Sequence, residues 1–141
     1  MRIKAFIDTN VFIYGFAHPE SNSTIVLQLI NGLKMEACIN FVVLKEIIRY
    51  FQRYYSRELS TDFTRYLLKT CTIIHQEDYV WEQHQLKGKI KEKDIQQIAA
   101  AKALGLKYLI SFDRDFRPFP EYRTPKQFLK ENGIKFKETD Y

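Results

Sequence analysis

One stretch decides the fold class of this chain: Lys107-Tyr108-Leu109-Ile110-Ser111-Phe112-Asp113-Arg114-Asp115. Its first six residues form a largely apolar run, which is typical of a buried strand in a parallel sheet. Acidic residues follow directly where that strand should end. A second apolar run, Ile3 to Ile7, has the same arrangement, because Asp8 comes immediately after it. If the two strands lie side by side, both sets of carboxylates point into one crevice at the carboxyl edge of the sheet.

The rest of the chain alternates short apolar runs with longer segments of helical periodicity. The apolar runs predict two further strands, at residues 36–40 and 72–75. A loop around His18 to Asn22 leads to the first predicted helix. The predicted helices cover residues 25–33, 43–55, 60–69, 79–86, 94–105 and 124–129. Strands that alternate with helices in this way form right-handed βαβ units, so we predict an α/β fold around a mostly parallel sheet.

Length and composition limit the class of protein. The chain has 141 residues, of which 45% are hydrophobic, so we expect a single domain over residues 1–141 with a sizeable core. No apolar run has the length of a membrane-spanning helix. The two cysteines, Cys38 and Cys71, do not suggest a disulfide framework, and the first residues do not resemble a signal peptide. We therefore expect a cytoplasmic chain without membrane association.

Two further acids, both in predicted helices, are candidates for the same crevice. Glu46 has mostly apolar neighbours, so its charge would need a partner if it is buried. The alternative for Glu46 is an edge position paired with Arg49. Asp94 opens the alanine-rich helix, where it could equally cap the helix N-terminus. Asp8 and Asp113, taken singly, could also be turn residues or caps. Only the four acids together point to a site.

Four carboxylates in one crevice would repel one another and would need a cation. Ligand sets made only of oxygen suit hard divalent ions, and we predict Mg²⁺ or Mn²⁺. The histidines, His18, His75 and His84, have no zinc-like spacing, and the five glycines form no phosphate-binding loop. No Ser-His or Cys-His arrangement is apparent. The residues therefore favour a site for a hard divalent cation, and they show no arrangement for nucleophilic catalysis by a side chain.

The acids and their neighbours resemble the PIN domain family, whose small members include the VapC-type toxin ribonucleases of bacterial and archaeal toxin–antitoxin modules. The matching segments are Asp8-Thr9-Asn10, Glu46, Asp94, Ser111 to Phe116, and Thr124 to Leu129. One departure is Ser111, where threonine is common in the family. The resemblance extends over nearly the whole chain and implies a three-layer α/β/α sandwich around a mostly parallel sheet.

The resemblance also implies a role for each matching residue. Four acids would form the catalytic, metal-binding quartet: Asp8, Glu46, Asp94 and Asp113. A fifth acid, Asp115, would assist as a ligand or through a metal-bound water. Three polar residues would position metal-bound waters or the neighbouring carboxylates: Thr9, Asn10 and Ser111.

The function implied by the family is a metal-dependent endoribonuclease, the toxin of a toxin–antitoxin pair, which leaves a 5′ phosphate on its RNA product. An antitoxin segment would cover the acidic groove, and the toxin would form a homodimer. The aromatic helix Val43 to Tyr55 is a candidate contact surface, although core packing explains the same residues equally well. The net charge of +5, from 22 basic and 17 acidic residues, suits a polyanionic partner. For the basic tract Lys87 to Lys93 we predict a solvated face.

Two alternatives stay open. The first is a non-catalytic RNA-binding or scaffolding domain with the same fold, against which the presence of all four acids argues. The second is a phosphatase resembling the haloacid dehalogenases, in which Asp8 would be the nucleophile. That chemistry requires a second aspartate two residues later, where this chain has Asn10.

Overall fold

A five-stranded sheet forms the centre of the computed structural model, which describes residues 2–141. The strands are β1 (Ile3–Ile7), β2 (Met35–Asn40), β3 (Cys71–Ile74), β4 (Tyr108–Ile110) and β5 (Tyr122–Arg123). All neighbouring strands pair in parallel, in the order β3-β2-β1-β4-β5. Because β1 is the middle strand, the residue that follows it lies at the centre of the carboxyl edge.

Strands β1 and β4 are direct neighbours, as the sequence predicts. Ala5 pairs with Tyr108, and Ile7 pairs with Ile110. One residue further on, the backbone N–H of Asp8 donates to the carbonyl oxygen of Ile110 at 3.0 Å. The acids that follow these two strands are therefore brought to the same edge of the sheet.

Within the described residues, seven helices flank the sheet, so the predicted three-layer α/β/α sandwich is confirmed. The helices are α1 (Thr9–Ala17), α2 (Asn22–Asn31), α3 (Phe41–Tyr54), α4 (Arg57–Thr70), α5 (Val80–Gln85), α6 (Ile95–Ala103) and α7 (Pro125–Glu131). Short 3₁₀ turns occupy Gln76–Asp78, Glu92–Asp94 and Arg114–Phe116. Within residues 2–141, no helix is long and apolar enough to span a membrane.

Helix α6 packs tightly against the sheet, and this packing fixes the position of its first residues. It contacts β1, β2 and β4, and its residues Ile98 to Ala101 are completely buried. Small alanine side chains allow this close approach of helix and sheet. The helix ends before Gly105, whose φ of +62° is a conformation that glycine adopts without strain. The N-terminal end of α6, next to Asp94, is held at the carboxyl edge of the sheet as a result.

Two elements differ from the sequence predictions. The sequence pattern predicts no element between Ile7 and His18, where the structure has α1. This helix is apolar on most sides, and it packs so closely on α2 that a Cβ at Gly15 would lie 2.8 Å from Leu27 Cδ1 and 3.1 Å from the backbone carbon of Ser23. Such a helix shows no simple periodicity in the sequence. Strand β5 has only two residues, and no sequence pattern marks so short a strand.

Candidate active site

Asp8 both caps α1 and faces the crevice. Its Oδ1 accepts a hydrogen bond from the backbone N–H of Thr9 at 2.8 Å, and its Oδ2 accepts one from the Ser111 hydroxyl at 2.7 Å. Its exposed fraction is only 6%. Burial raises the pKa of Asp8 from 3.8 to about 6, although the two hydrogen bonds lower it, and the charges of Glu46 and Asp94 raise it further. Asp8 is therefore a carboxylate whose negative charge lacks a compensating cation.

Ser111 connects the ends of β1 and β4. Its fully buried hydroxyl donates to Asp8 and accepts from the Asn10 amide at 3.3 Å and from the backbone N–H of Asp113 at 3.0 Å. The Asn10 amide oxygen in turn accepts from the backbone N–H of Phe112 at 3.2 Å. This network fixes the loop that carries Asp113 relative to Asp8.

Glu46 reaches the same crevice from α3. Its Oε1 accepts a hydrogen bond from the Thr9 hydroxyl at 2.9 Å. Within residues 2–141, Arg49 forms no ion pair with it, contrary to the edge-pair alternative. Glu46 is exposed, because α3 presents it to the opening of the crevice and not to the core.

Asp94, Asp113 and Asp115 form the tightest acidic cluster. Each offers a carboxylate oxygen, and these oxygens all lie within 4.8 Å of one another. The Asp115 backbone N–H donates to Asp113 Oδ1 at 2.9 Å, which folds the loop so that both acids face Asp94. Asp115, the acid expected to assist the quartet, thus lies close to two members of the quartet, Asp94 and Asp113.

Asp94 is the N-cap residue of α6, as the sequence allowed, but its side chain does not cap the helix. Its side chain accepts no hydrogen bond from the start of α6, and its buried Oδ2 has no hydrogen-bond partner within residues 2–141. Its exposed fraction is 5%. Burial raises the pKa of Asp94 to about 6, the charges of Asp113 and Asp115 raise it further, and Lys93 lowers it. A buried carboxylate oxygen with no donor is a free ligand for a cation.

The basic tract is a solvated face, as predicted, since all its lysines are exposed, and two of them also form ion pairs with the acids. Lys91 Nζ lies 3.3 Å from Asp115 Oδ2. Lys93 Nζ lies 3.7 Å from Asp94 Oδ2 and 3.6 Å from Asp113 Oδ2, and these two charges raise its pKa. The lysine stems lie in solvent while their ammonium groups reach the carboxylates, a geometry that depends on the 3₁₀ turn before α6.

The quartet predicted from the sequence lines one cavity of about 240 Å³. The lining residues are Asp8, Thr9, Asn10, Ile13, Glu46, Lys93, Asp94, Gln97 and Asp113. Sequence reasoning missed Gln97, which is 3% exposed and whose buried Oε1 has no hydrogen-bond partner within residues 2–141. Its position three residues after Asp94, on the same face of a helix, is the signal that could have identified it.

The donor set fits a hard divalent cation. All the candidate ligands are carboxylate oxygens, supplemented by the amide oxygen of Gln97, and such sets suit Mg²⁺ and Mn²⁺. Two of the acids, Asp8 and Asp94, have raised pKa values because their charges are buried beside other acids. A cation would offset both buried charges, and the Oδ2 of Asp94, which has the Lys93 ammonium group at 3.7 Å but no hydrogen bond within residues 2–141, is a candidate ligand oxygen.

Comparison with known proteins places the chain in a family. A sequence model of the PIN domain matches residues 5–121, while no curated protein matches the chain. A toxin–antitoxin complex from Klebsiella pneumoniae contains a chain that is 25% identical, with a TM-score of 0.68 over 86% of this chain and 97% of that one. 

Two structures of lower sequence identity support the fold alone. VapBC2 from Rickettsia felis, bound to a DNA fragment from the promoter, is 16% identical, with a TM-score of 0.69 over 86% of this chain and 98% of that one. VapC20 from Mycobacterium tuberculosis, a toxin that cleaves the sarcin–ricin loop, is 16% identical, with a TM-score of 0.61 over 81% and 93%. Since the family match spans β1 to the residues before β5 and includes every acid of the crevice, the chain belongs to the PIN domain family.

Proposed function

We propose that this chain is a divalent-metal-dependent endoribonuclease and the toxin of a type II toxin–antitoxin pair. The observation that carries the proposal is the acidic cluster at the carboxyl edge of the sheet, where oxygens of three aspartates lie within 4.8 Å of one another. Membership of the PIN family and the likeness to toxin chains of VapBC complexes support a toxin nuclease.

The proposed ligands of Mg²⁺ or Mn²⁺ are the quartet Asp8, Glu46, Asp94 and Asp113, with Asp115 beside them. A divalent ion at this position supplies a water of lowered pKa and positive charge to offset the charge of a phosphodiester. Asp94 and Asp113 are suited to this role because their side chains already face one another at the end of the cavity.

The other polar residues hold the carboxylates in place. The Ser111 hydroxyl orients Asp8, the Thr9 hydroxyl orients Glu46, and Asn10 fixes the position of Ser111. Lys93 holds an ammonium group beside Asp94 and Asp113, where it can also approach an incoming phosphate. The Ser111, Thr9 and Asn10 side chains set the geometry of the site before substrate binds, so less ordering is needed on binding.

No side chain of the cavity is placed as a nucleophile. Cys38 is buried in the core and not in the cavity, and burial raises the pKa of its thiol to about 11, so it stays protonated. A haloacid-dehalogenase-like phosphatase needs an acid at the position of Asn10. The Asn10 side chain instead donates a hydrogen bond to Ser111 and accepts one from the backbone N–H of Phe112. Water is therefore the nucleophile in the proposed reaction.

The test is cleavage of a single-stranded RNA with a fluorophore and quencher at its ends, in Mg²⁺, Mn²⁺ or EDTA. We expect Asp94→Asn and Asp113→Asn to lower the rate by about 100-fold or more, because loss of even an outer-sphere partner of a metal site costs 10–100-fold. Asp62→Asn is the matched control, since Asp62 lies on α4 in an exposed ion pair with Arg65. If wild type binds RNA and leaves it intact in both metals, the non-catalytic alternative holds instead.

The partner proposals follow from the neighbours and the family. VapBC complexes contain a toxin and an antitoxin, and we propose that an antitoxin segment binds this chain and blocks the acidic cavity. We also propose that residues 1–141 form a single domain, that the chain is a homodimer, and that it acts on RNA in the cytoplasm. Size-exclusion chromatography with light scattering tests the dimer, and co-expression with a small protein encoded by an adjacent gene tests the antitoxin.

A further inference from the structure

A second groove opens directly from the acidic cavity along α3. The two share one wall, formed by Thr9, Ile13 and Glu46, and the second groove has a volume of about 380 Å³. We call it the α3 groove. Its residues are Thr9, Ile13, Glu46, Arg49, Tyr50, Arg53 and Tyr54. A chain that enters the acidic cavity from this side must pass over the outer face of α3.

Two tyrosines one helical turn apart form an aromatic surface in the α3 groove. The ring centroids of Tyr50 and Tyr54 are 4.8 Å apart, with an interplanar angle of 47°. Two rings this close leave no space for a third ring between them. Tyr54 is 62% exposed, whereas Tyr50 is partly buried beneath it and packs edge-on against Phe51. Tyr54 is therefore the exposed ring of the pair, with the Arg53 guanidinium over its ring face, and Tyr50 supports it.

Two arginines flank this ring face. Within residues 2–141, neither Arg49 nor Arg53 forms an ion pair, and the nearest acid on the helix, Glu46, is hydrogen-bonded to Thr9. The Arg53 guanidinium lies over the Tyr54 ring, 5.5 Å from its centroid. Unpaired guanidinium groups bind phosphate oxygens through two parallel hydrogen bonds. The α3 groove thus combines anion-binding groups with a stacking surface.

We propose that the α3 groove binds one unpaired nucleotide of the RNA next to the phosphodiester in the acidic cavity. Its base stacks on the exposed Tyr54 ring in place of the Arg53 guanidinium, and Arg53, once displaced, binds the adjacent phosphates together with Arg49. A stacking surface needs a base whose face is free, which single strands offer and duplexes do not. The assignment rests on the proposed function, since it names where the RNA strand of that same site lies.

The proposal predicts the effect of each side chain on binding of a fluorescein-labelled 12-nucleotide single-stranded RNA. The measurement is fluorescence anisotropy in EDTA, in which the proposed metal-dependent cleavage does not occur. We expect Tyr54→Ala to weaken binding about 5- to 20-fold, and Tyr54→Phe to stay within about 2-fold of wild type because the ring is kept. Arg49→Ala and Arg53→Ala should each weaken binding and flatten its salt dependence.

Matched controls exist elsewhere on the surface. Trp81, 68% exposed on α5, tests whether removing any exposed aromatic side chain weakens binding. Arg65, on α4, tests the loss of one positive charge. Trp81→Ala and Arg65→Ala should each bind single-stranded RNA within about 2-fold of wild type. A duplex of the same sequence should not distinguish Tyr54→Ala from wild type, since its bases are stacked and paired.

Several results would overturn the proposal. The first is that Tyr54→Ala binds the RNA as tightly as wild type. The second is that Tyr54→Phe loses as much RNA affinity as Tyr54→Ala, and the third is that wild type does not bind the RNA measurably. Loss of binding to an antitoxin peptide with RNA binding unchanged would assign the groove to a protein partner instead. A different result would contradict the proposed function alone. If the wild-type protein cleaves no RNA but binds it through Tyr54, the proposed nuclease activity is wrong and the proposed nucleotide site is supported.

Discussion

At the scale of single residues, the candidate site depends on a few polar groups with more than one partner, the buried Ser111 and the exposed Lys93 among them. One hydroxyl, that of Ser111, serves Asp8, Asn10 and the backbone of Asp113. Lys93 brings its positive charge to two aspartates at once. The Ser111 hydroxyl holds carboxylates in a defined arrangement, whereas the Lys93 ammonium group competes with a cation for them, so changing either residue should alter metal binding without removing a ligand.

Ser111→Ala tests the role of this hydroxyl. Asp8 would lose the donor that lowers its pKa, and the loop carrying Asp113 would lose a fixed point. We expect the affinity for Mn²⁺ to fall by about 10- to 100-fold, as for other outer-sphere partners of metal ligands. Isothermal titration with Mn²⁺ at pH 7 measures it, with Ser56→Ala, a cap at the exposed start of α4, as the control. Wild-type affinity in Ser111→Ala would show that Asp8 needs no support.

Lys93→Gln should change metal binding in the opposite direction. The ammonium group interacts with the same carboxylates that the cation would use. Its removal should therefore raise the affinity for Mn²⁺ about 3- to 10-fold at low salt. At 0.2 M salt the increase should be smaller, because exposed charges are screened. The same titration at two salt concentrations checks this, with Lys89→Gln as the control on the same tract. A weaker affinity would mean that Lys93 holds the ligands in place rather than competing with the metal.

Asp94→Asn tests the buried charge through the pH dependence of stability. The pKa of Asp94 is raised to about 6 in the folded protein, so the folded state holds a proton that the unfolded chain releases above about pH 4. The charge therefore destabilises the metal-free protein increasingly as the pH rises from 4 through 6. In EDTA, the melting temperature of Asp94→Asn should be a few degrees above that of wild type at pH 7, and the two melting temperatures should be equal at pH 4.5. A lower melting temperature at pH 7 would contradict the account.

At the scale of elements, α3 joins the core to both proposed binding surfaces. Its inner face is fixed by Phe51, which is fully buried and stacks on Phe63 of α4 with centroids 4.6 Å apart. Its outer face presents Glu46 to the acidic cavity and Tyr54 to the α3 groove. Because the two faces belong to one rigid helix, packing on the inner side sets the position of the functional side chains on the outer side.

Phe51→Ala should destabilise the protein by about 3–5 kcal/mol, the usual cost of removing a buried aromatic side chain. The change creates a cavity between α3, α4 and the Phe16 ring of α1, which contacts Phe51 edge-on. Urea unfolding followed by circular dichroism measures the loss. Tyr54→Ala is the comparison on the same helix and should cost less than about 1 kcal/mol because that ring is exposed. Similar values for both variants would mean that the inner face does not anchor α3.

Local sequence patterns predicted most of the elements but not how close their side chains come. Apolar runs marked β1 and β4, and an acid after each run placed Asp8 and Asp113 at one edge, because parallel strands end on the same side. The pattern failed for α1, which is apolar on most sides. It could not show that the buried Oδ2 of Asp94 accepts no hydrogen bond within residues 2–141 or that Lys93 also reaches Asp113, since both depend on how distant segments of the chain pack.

At the scale of the whole molecule, the net charge of +5 hides an uneven distribution. Acids gather in the cavity at the carboxyl edge of the sheet, and arginines lie on either side of it. On one side is the α3 groove; on the other is a larger cleft of about 630 Å³ that contains Arg114, Arg117 and Arg123. A polyanion would be attracted to these borders while the carboxylates keep a cation, so the proposed binding of RNA and the proposed binding of metal would rest largely on separate residues.

The most direct test of the proposed hydrolysis is analysis of the ends that cleavage leaves on a labelled single-stranded RNA. Attack by water expels the 3′ oxygen, so the account predicts a 5′ phosphate and a 3′ hydroxyl. These products should form with Mg²⁺ or Mn²⁺, not in EDTA, and not with Asp113→Asn. A 2′,3′-cyclic phosphate, or cleavage that continues in EDTA, would show that the RNA's own 2′ hydroxyl is the nucleophile and would contradict the account.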